Sequence, residues 1–203
     1  DSSVTGVQTC ALPICWCNPD NHAELIEKGL VRMREVKQAG WDNMILLSGN
    51  RNGMSDEDGL TNSAKGIEKL LPLAEELGVN LVLELLNSKR NHKDYMADHT
   101  AWGVKLAKQL GSKRFSLLYA IYHMQIMEGD VIATIQENYE YIGHYHTGGV
   151  PGRHEIDATQ ELNYPRICEV IVETGFKGFL AHEFVPTRDP LTSLREAVAI
   201  CDV

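Results

Sequence analysis

The chain has 203 residues, of which 43% are apolar and 23% charged, a composition typical of a one-domain globular protein. Its 28 Asp and Glu residues outnumber its 19 Lys and Arg residues, and the net charge of -9 opposes nonspecific binding to nucleic acid or anionic membranes. No apolar run approaches the ~20 residues of a membrane helix, and the start lacks the pattern of a secretory signal. We therefore expect a cytoplasmic protein with small-molecule partners, and homo-oligomer formation is left open.

The first residues differ in character from the rest of the chain. The segment from Val4 to Ile14 resembles the in-frame translation of a sequencing adapter oligonucleotide. We therefore expect residues 1–14 to be non-native and residues 15–203 to form the domain.

The cysteines predict neither a disulfide framework nor a structural zinc site. Their number is odd and no Cys-x-x-Cys pair occurs. Zinc binding by Cys15 and Cys17 together with His22 is an alternative that this spacing disfavours. The five are Cys10, Cys15, Cys17, Cys168 and Cys201.

Hydrophobic periodicity predicts alternating helices and strands from residue 19 onward. Helices are expected at about 19–39, 62–77, 98–110, 129–138, 163–174 and 190–203. Strands are expected at 43–48, 80–87, 114–123 and 178–186, with another that begins at residue 141 and ends in a Gly/Pro loop. Pro72 should bend or interrupt the second helix.

Polar side chains concentrate near the carboxyl ends of these strands. Glu84 lies in an otherwise apolar run, where an unpaired carboxylate would cost several kcal/mol. His144 and His146 are two residues apart, so a strand places both imidazoles on one face. Arg153 follows the glycine-rich loop, and Glu183 lies near the end of the last strand.

His123 and Gln125 complete this set, because they end the predicted strand 114–123. Parallel α/β folds bind ligands at this end of their strands. No Gly-x-Gly-x-x-Gly follows the first strand, so a (β/α)₈ barrel is favoured over a nucleotide-binding open sheet.

Several short motifs together are similar to those of one enzyme family. They are Leu-Glu-Leu-Leu-Asn at 83–87, Leu-Tyr-Ala-Ile-Tyr-His-Met-Gln at 118–125, Gly-His-Tyr-His at 143–146, Pro-Gly-Arg-His-Glu at 151–155, Glu-Leu-Asn-Tyr at 161–164 and His-Glu-Phe at 182–184. With them the chain resembles the hydroxypyruvate isomerase group of the xylose isomerase-like sugar (phosphate) isomerase and epimerase superfamily, over roughly residues 43–203. The resemblance implies an incomplete (β/α)₈ TIM barrel that contains the last five strands and lacks about three βα units in front.

The resemblance also implies a divalent metal, Mn²⁺ or Mg²⁺, and a set of site residues. Matching motifs assign the metal to Glu84, His146 and Glu183, and the Asp that the family adds to these ligands is Ala120 in this chain. His123 matches a residue that contacts the substrate. Arg153 matches the arginine that holds substrate oxygens.

The implied chemistry is isomerisation or epimerisation of a small hydroxy-carbonyl compound, either a hydroxy-keto acid such as hydroxypyruvate or a ketose sugar. A proton leaves carbon to give an enediolate, and Glu84 and Glu183 would take and return it. Ala120 and the shortened barrel predict impaired activity, so a non-catalytic sugar-binding barrel is one alternative. Others are a metal-dependent barrel hydrolase, which His-x-His also suits, and a nuclease of the endonuclease IV type, which the acidic charge disfavours.

Overall fold

A computed structural model describes residues 15–203 as one five-stranded sheet with helices packed against it. The segment expected to be non-native, residues 1–14 with Cys10, lies outside the described residues. The strands are β1 (Asn43–Leu46), β2 (Asn80–Glu84), β3 (Phe115–Ala120), β4 (Ile142–Thr147) and β5 (Leu180–His182). Their order in the sheet is the order in sequence, and each neighbouring pair is parallel. The sheet curls into a half-barrel, which confirms the predicted partial (β/α)₈ architecture.

Eight α-helices are described between and around these strands. They are α1 (His22–Gln38), α2 (Asp56–Ile67), α3 (Leu71–Leu77), α4 (Thr100–Leu110), α5 (Ile121–Met127), α6 (Val131–Asn138), α7 (Tyr164–Glu173) and α8 (Pro190–Cys201), with short 3₁₀ turns at Pro19–Asn21 and Tyr139–Tyr141. Among the helices of residues 15–203, none has the length and apolar character needed to cross a membrane.

The two faces of the sheet pack differently. The outer face joins the helices in the main core, where Leu81, Leu83 and Leu117 are fully buried. The inner face carries a separate small apolar cluster of Val82, Leu118 and Ala120. This inner face ends at the carboxyl rim, where side chains of neighbouring strands approach each other.

Strand register determines which side chains meet at that rim. Glu84, the last residue of β2, pairs with Leu118 of β3. Ala120 at the end of β3 pairs with His146 of β4, which pairs with Ala181 of β5. Because side chains alternate along a strand, Glu183 faces the same side as Ala181.

The second predicted helix begins earlier than expected. Ser55 caps α2, because its hydroxyl accepts a hydrogen bond from the backbone N–H of Asp58 at 3.1 Å. The helix therefore starts at Asp56 and not near residue 62. The prediction for Pro72 is confirmed, since the helix is interrupted after Ile67 and Pro72 lies in the first turn of α3.

The third predicted strand is wrong at its end. β3 stops at Ala120 and α5 starts at Ile121, so His123 and Gln125 lie on a helix. The apolar run continues through both elements, and a short apolar run does not distinguish a buried strand from a buried helix. Because His123 lies on a helix, its side chain points in a different direction from that of a residue at a strand end.

Candidate functional site

Three strand ends place metal-ligand side chains close together at the inner rim. Glu84 ends β2, His146 lies on β4 and Glu183 follows β5. One ligand atom from each lies within 4.8 Å of the others. His146 Nδ1 is 3.6 Å from Glu84 Oε1 and 3.3 Å from Glu183 Oε2. The structure thus brings together the three residues that were assigned to a metal.

Glu84 occupies an unusual environment for a carboxylate. It is 2% exposed, and its Oε1 makes no hydrogen bond to any residue in the range 15–203. A buried, unpaired anion is costly. The nearby imidazole of His146 or a bound cation would lower that cost.

Electrostatics at the site favour a positive charge between the two glutamates. Burial disfavours protonation of His146, but Glu183 and Glu84 outweigh it and raise the pKa of His146 to about 9. Burial likewise opposes ionisation of Glu183, yet His146 and Arg153 bring its pKa down to about 2. Without a bound ion, the imidazolium of His146 lies against the anionic Glu183.

The donor set fits a divalent cation. Two donors that are each about 2.1 Å from one ion are separated by about 3 to 4 Å. The distances from His146 Nδ1 to Glu183 Oε2 and Glu84 Oε1, 3.3 Å and 3.6 Å, fall in that range. Carboxylate oxygens with one imidazole nitrogen suit a divalent metal ion. Glu84, His146 and Glu183 could therefore hold such an ion.

Ala120 lies beside this group and contributes no donor. It is 1% exposed and packs with Val82 and Leu118 on the inner face, in register with His146. The position expected to hold an aspartate is therefore close to the candidate ligands.

Arg153 joins the site through Glu183. Its Nη2 is 2.5 Å from Glu183 Oε2, and its guanidinium carbon lies 5.6 Å from the centre of the Tyr122 ring. The loop that carries Arg153 is held by Tyr164 of α7, whose hydroxyl accepts from the N–H of Gly148 and donates to its carbonyl, both at 2.8 Å. The side chain of Arg153 is about a quarter exposed.

His144 shares the inner face with His146, but it does not belong to the group of three. Their ring centres are 4.9 Å apart, and His144 Nδ1 lies 3.4 Å from the side-chain nitrogen of Asn43. Burial and the charge of His146 lower the pKa of His144 to about 4. The two-residue spacing therefore predicted the shared face, while only one of the two imidazoles reaches the carboxylates.

His123 is fully buried on α5, next to residues that the sequence did not identify as part of the site. Its ring centre is 5.0 Å from that of Tyr122 and 5.3 Å from that of His92. Its Nδ1 contacts Asn87, which follows β2. In the sequence, Asn87 is the polar residue that ends the apolar run around Glu84. This position is the feature of the sequence that could have indicated its role.

Cys15 and Cys17, considered for zinc with His22, are not part of this group. Their sulfur atoms are 3.1 Å apart and buried, and Cys17 Sγ also contacts the carbonyl of Asn50. His22 Nε2 instead contacts the carbonyl of Trp16 at 2.9 Å. Within residues 15–203, the one three-residue group arranged to hold a metal is that of Glu84, His146 and Glu183.

Known proteins similar to this chain include two isomerases. The chain is 32% identical to the putative hydroxypyruvate isomerase of Homo sapiens over 60% of its length and 44% of that protein. It is 35% identical to the 2-oxo-tetronate isomerase of Cupriavidus necator over 54% of its length and 41% of that protein. The matched part is thus less than half of either relative.

A solved structure shares the fold. The crystal structure of a family 2 AP endonuclease from Brucella melitensis superposes with a TM-score of 0.82 at 23% identity, covering 88% of this chain and 69% of that one. The sequence profile of the xylose isomerase-like TIM barrel matches residues 5–202. The chain therefore belongs to the xylose isomerase-like TIM barrel family.

Proposed function

We propose that this chain is a metal-dependent isomerase or epimerase of a small α-hydroxy aldehyde, ketone or keto acid. The observation that carries the proposal is the convergence of Glu84, His146 and Glu183, from three separate strands, with ligand atoms within 4.8 Å of one another. The similarity to a putative hydroxypyruvate isomerase and to a 2-oxo-tetronate isomerase supports it, since both names describe isomerisation of small hydroxy-carbonyl compounds.

The two glutamates suit the proton transfers of such a reaction. Moving a carbonyl to the neighbouring carbon requires removal of a C–H proton and its return at a second position. Glu84 and Glu183 approach His146 from β2 and from the end of β5, so one carboxylate can take the proton and the other can return it. A single acid would be less versatile.

The same residues would hold the cation. A bound Mn²⁺ or Mg²⁺ would supply Lewis acidity that stabilises the negative charge of the enediolate. Glu84, His146 and Glu183 offer it two carboxylate oxygens and an imidazole nitrogen. His146 must release its proton to bind the ion, so we expect proton release on metal binding.

Arg153 and His123 would bind the substrate. Arg153 is already paired with Glu183, and its forked guanidinium suits carboxylate or hydroxyl oxygens. His123 is buried on the neighbouring helix α5 and has a free ring nitrogen. A hydroxy-keto acid would provide oxygen atoms for both groups.

A second candidate is a sugar-binding barrel without turnover. It is favoured by Ala120, which leaves the inner rim one carboxylate short of the ligand set that the motifs imply. A metal-dependent hydrolase with two histidine ligands is less well supported, because His144 contacts Asn43 and not the carboxylates.

Solvent deuterium exchange separates these functions. The chain with Mn²⁺ is incubated with hydroxypyruvate and small ketoses in D₂O, and loss of the α-proton is followed by NMR. We expect the unaltered chain to exchange the α-proton. Glu183→Gln should abolish this exchange, and Glu173→Gln, at an exposed position on α7, should retain it. Sugar binding without exchange of any substrate would refute the enzyme and favour the binding protein.

A further inference from the structure

The hydrogen bonds of Asn87 determine how its side-chain amide is oriented. Its Oδ1 accepts from the backbone N–H groups of Arg90 and Asn91, each at 3.0 Å. Those two groups are donors only, so the oxygen must face them and the nitrogen must face the other way. The Asn87 Nδ2 group then donates to Asn91 Oδ1 at 2.8 Å and lies 2.6 Å from His123 Nδ1.

His123 Nδ1 therefore receives two donors from one residue. Besides the Nδ2 group, the backbone N–H of Asn87 donates to the same nitrogen at 3.2 Å. A ring nitrogen that accepts hydrogen bonds carries no proton. In a neutral imidazole the proton then resides on Nε2.

The opposite nitrogen of His123 is a buried donor without a protein acceptor. His123 is fully buried, and Nε2 has no hydrogen-bond partner within the described part of the chain. Leaving such a donor unpaired costs about 1 to 3 kcal/mol, so its persistence needs an explanation.

His123 is near residues of the candidate site. Its ring centre is 5.0 Å from that of Tyr122 and 5.3 Å from that of His92, and Tyr122 in turn contacts the guanidinium of Arg153. Burial, followed by the charge of Arg153, lowers the pKa of His123 to about 3, while Glu183 acts in the opposite direction. The imidazole is thus neutral near pH 7 and close enough to Arg153 and Glu183 to respond to their charge.

We propose that Asn87 is a positioning residue that fixes His123 as the neutral Nε2–H tautomer and so provides the site with a hydrogen-bond donor for a substrate oxygen. The inference rests on the proposed function for its substrate, which is a small compound with a carbonyl or hydroxyl oxygen. A neutral N–H donor stabilises negative charge that develops on that oxygen without transferring a full proton to it. Asn87 itself does not touch the substrate.

The tautomer can be measured directly. Long-range ¹H–¹⁵N NMR of the ring nitrogens, with His123 assigned from the His123→Gln variant, distinguishes a protonated Nε2 from a protonated Nδ1. We expect Nε2–H in the unaltered chain. In Asn87→Asp a carboxylate oxygen replaces the donor that faces Nδ1, so we expect the proton to move to Nδ1 or the ring to become doubly protonated.

Asn91→Asp is the matched control. It adds the same charge one turn away, and its carboxylate still accepts from Asn87 Nδ2 and from the Tyr122 hydroxyl. We expect its His123 tautomer to be unchanged. A proton on Nδ1 in the unaltered chain, or an unchanged tautomer in Asn87→Asp, would overturn the inference. If the Asn87→Asp protein does not fold, the tautomer of His123 in the unaltered chain still tests the inference.

Kinetics test the consequence separately. In the deuterium exchange assay, Asn87→Asp should lower kcat about 10-fold while KM changes less, as expected for loss of a supporting hydrogen bond. Equal kcat values for Asn87→Asp and Asn91→Asp would overturn the positioning role. If no substrate exchanges with the unaltered chain, the proposed function fails, and the NMR result still shows whether Asn87 sets the tautomer.

Discussion

His146 is the residue through which the charges of the site are balanced. Its Nδ1 faces both Glu84 and Glu183, and these carboxylates raise its pKa to about 9 in spite of burial. A proton on His146 and a divalent cation would therefore compete for the same place. Metal affinity should rise with pH, because the imidazole must be neutral to coordinate.

Ala120→Asp is expected to raise the affinity for Mn²⁺ at least ~10-fold, because it adds an anionic oxygen ligand. Ala120 is in register with His146 on the inner face, so the new carboxylate would be next to the existing donors. Titration calorimetry with MnCl₂ measures the change. Ala101→Asp places the same charge on an exposed position of α4 and should have no effect. Equal affinities for the two variants would remove position 120 from the metal shell.

Asp98 provides a second prediction, which concerns stability and pH. Its carboxylate is 6% exposed and is bound by Arg51 at 3.0 Å, by Ser88 at 2.5 Å and by His99 at 2.7 Å. Burial opposes ionisation, but these partners outweigh it and lower the pKa of Asp98 below its ordinary value of 3.8. The stabilisation is therefore complete above about pH 4 and is lost as pH falls through the folded-state pKa.

Asp98→Asn should lower the free energy of unfolding by about 2 kcal/mol at pH 7, and the difference should shrink below pH 4. Asp56→Asn is the matched control, since Asp56 pairs with the same Arg51 but is 64% exposed, and its change should be smaller. Urea denaturation at several pH values gives both results. A difference that stays constant with pH would show that ionisation of Asp98 is not its source.

At the level of elements, α7 anchors the loop that follows β4. The hydroxyl of Tyr164 satisfies both the N–H and the carbonyl of Gly148, and all these groups are buried. Gly148 is close to Tyr122, Glu183 and Arg153. The position of Arg153 thus depends on a contact made by a helix outside the sheet.

Tyr164→Phe is expected to destabilise the chain by about 2 kcal/mol, because it leaves two buried backbone groups unpaired. Since the loop carries Arg153, the KM of the proposed reaction should also increase. Tyr139→Phe, at a position 43% exposed, serves as the control and should change neither value. Denaturation curves and exchange kinetics provide the two measurements. A Tyr164→Phe protein as stable as the control would show that water replaces the hydroxyl.

Element types were predictable where the sequence carries strong local patterns. Alternation of apolar runs and amphipathic segments predicted the parallel strands, and Pro72 predicted the break between α2 and α3. The start of α2 was missed because Ser55 acts through a cap, which depends on one hydrogen bond. The end of β3 was missed because its apolar run continues into α5.

The site was predictable to the extent that strand ends define it. Glu84, His146 and Glu183 stand out as polar residues at the ends of predicted strands, and the structure places them together. Asn87 and His92 were missed, because their contacts to His123 depend on how a loop and a helix pack. The roles of these residues stay predictions.

At the scale of the whole molecule, α8 exposes apolar side chains at helical spacing. Leu191, Leu194 and Val198 are 62%, 44% and 54% exposed, and Phe179 just before β5 is 63% exposed. Within the described residues, β1 and β5 each have one edge without a partner strand. Exposed apolar faces and open sheet edges favour association between chains.

We therefore expect the 203-residue chain to self-associate in a concentration-dependent way, which sedimentation velocity measures. Leu191→Lys combined with Val198→Lys should reduce the association, because both changes place charge on the exposed face of α8. Val31→Lys, an exposed apolar position on α1, is the control and should have little effect. A monodisperse sample that melts cooperatively at all concentrations would contradict this expectation.

The shortness of β5 has a consequence for engineering. In its three residues Ala181 is in register with His146, Glu183 follows on the same side, and His182 contacts Thr147 on the other side. Deleting one residue inside β5 would change its parity and direct a neighbouring side chain, instead of the carboxylate, to the inner rim. Libraries that vary the loop lengths before Leu180 or after Glu183 would leave this parity intact, so the segment from Leu180 to Glu183 is the one whose residue count has to be kept.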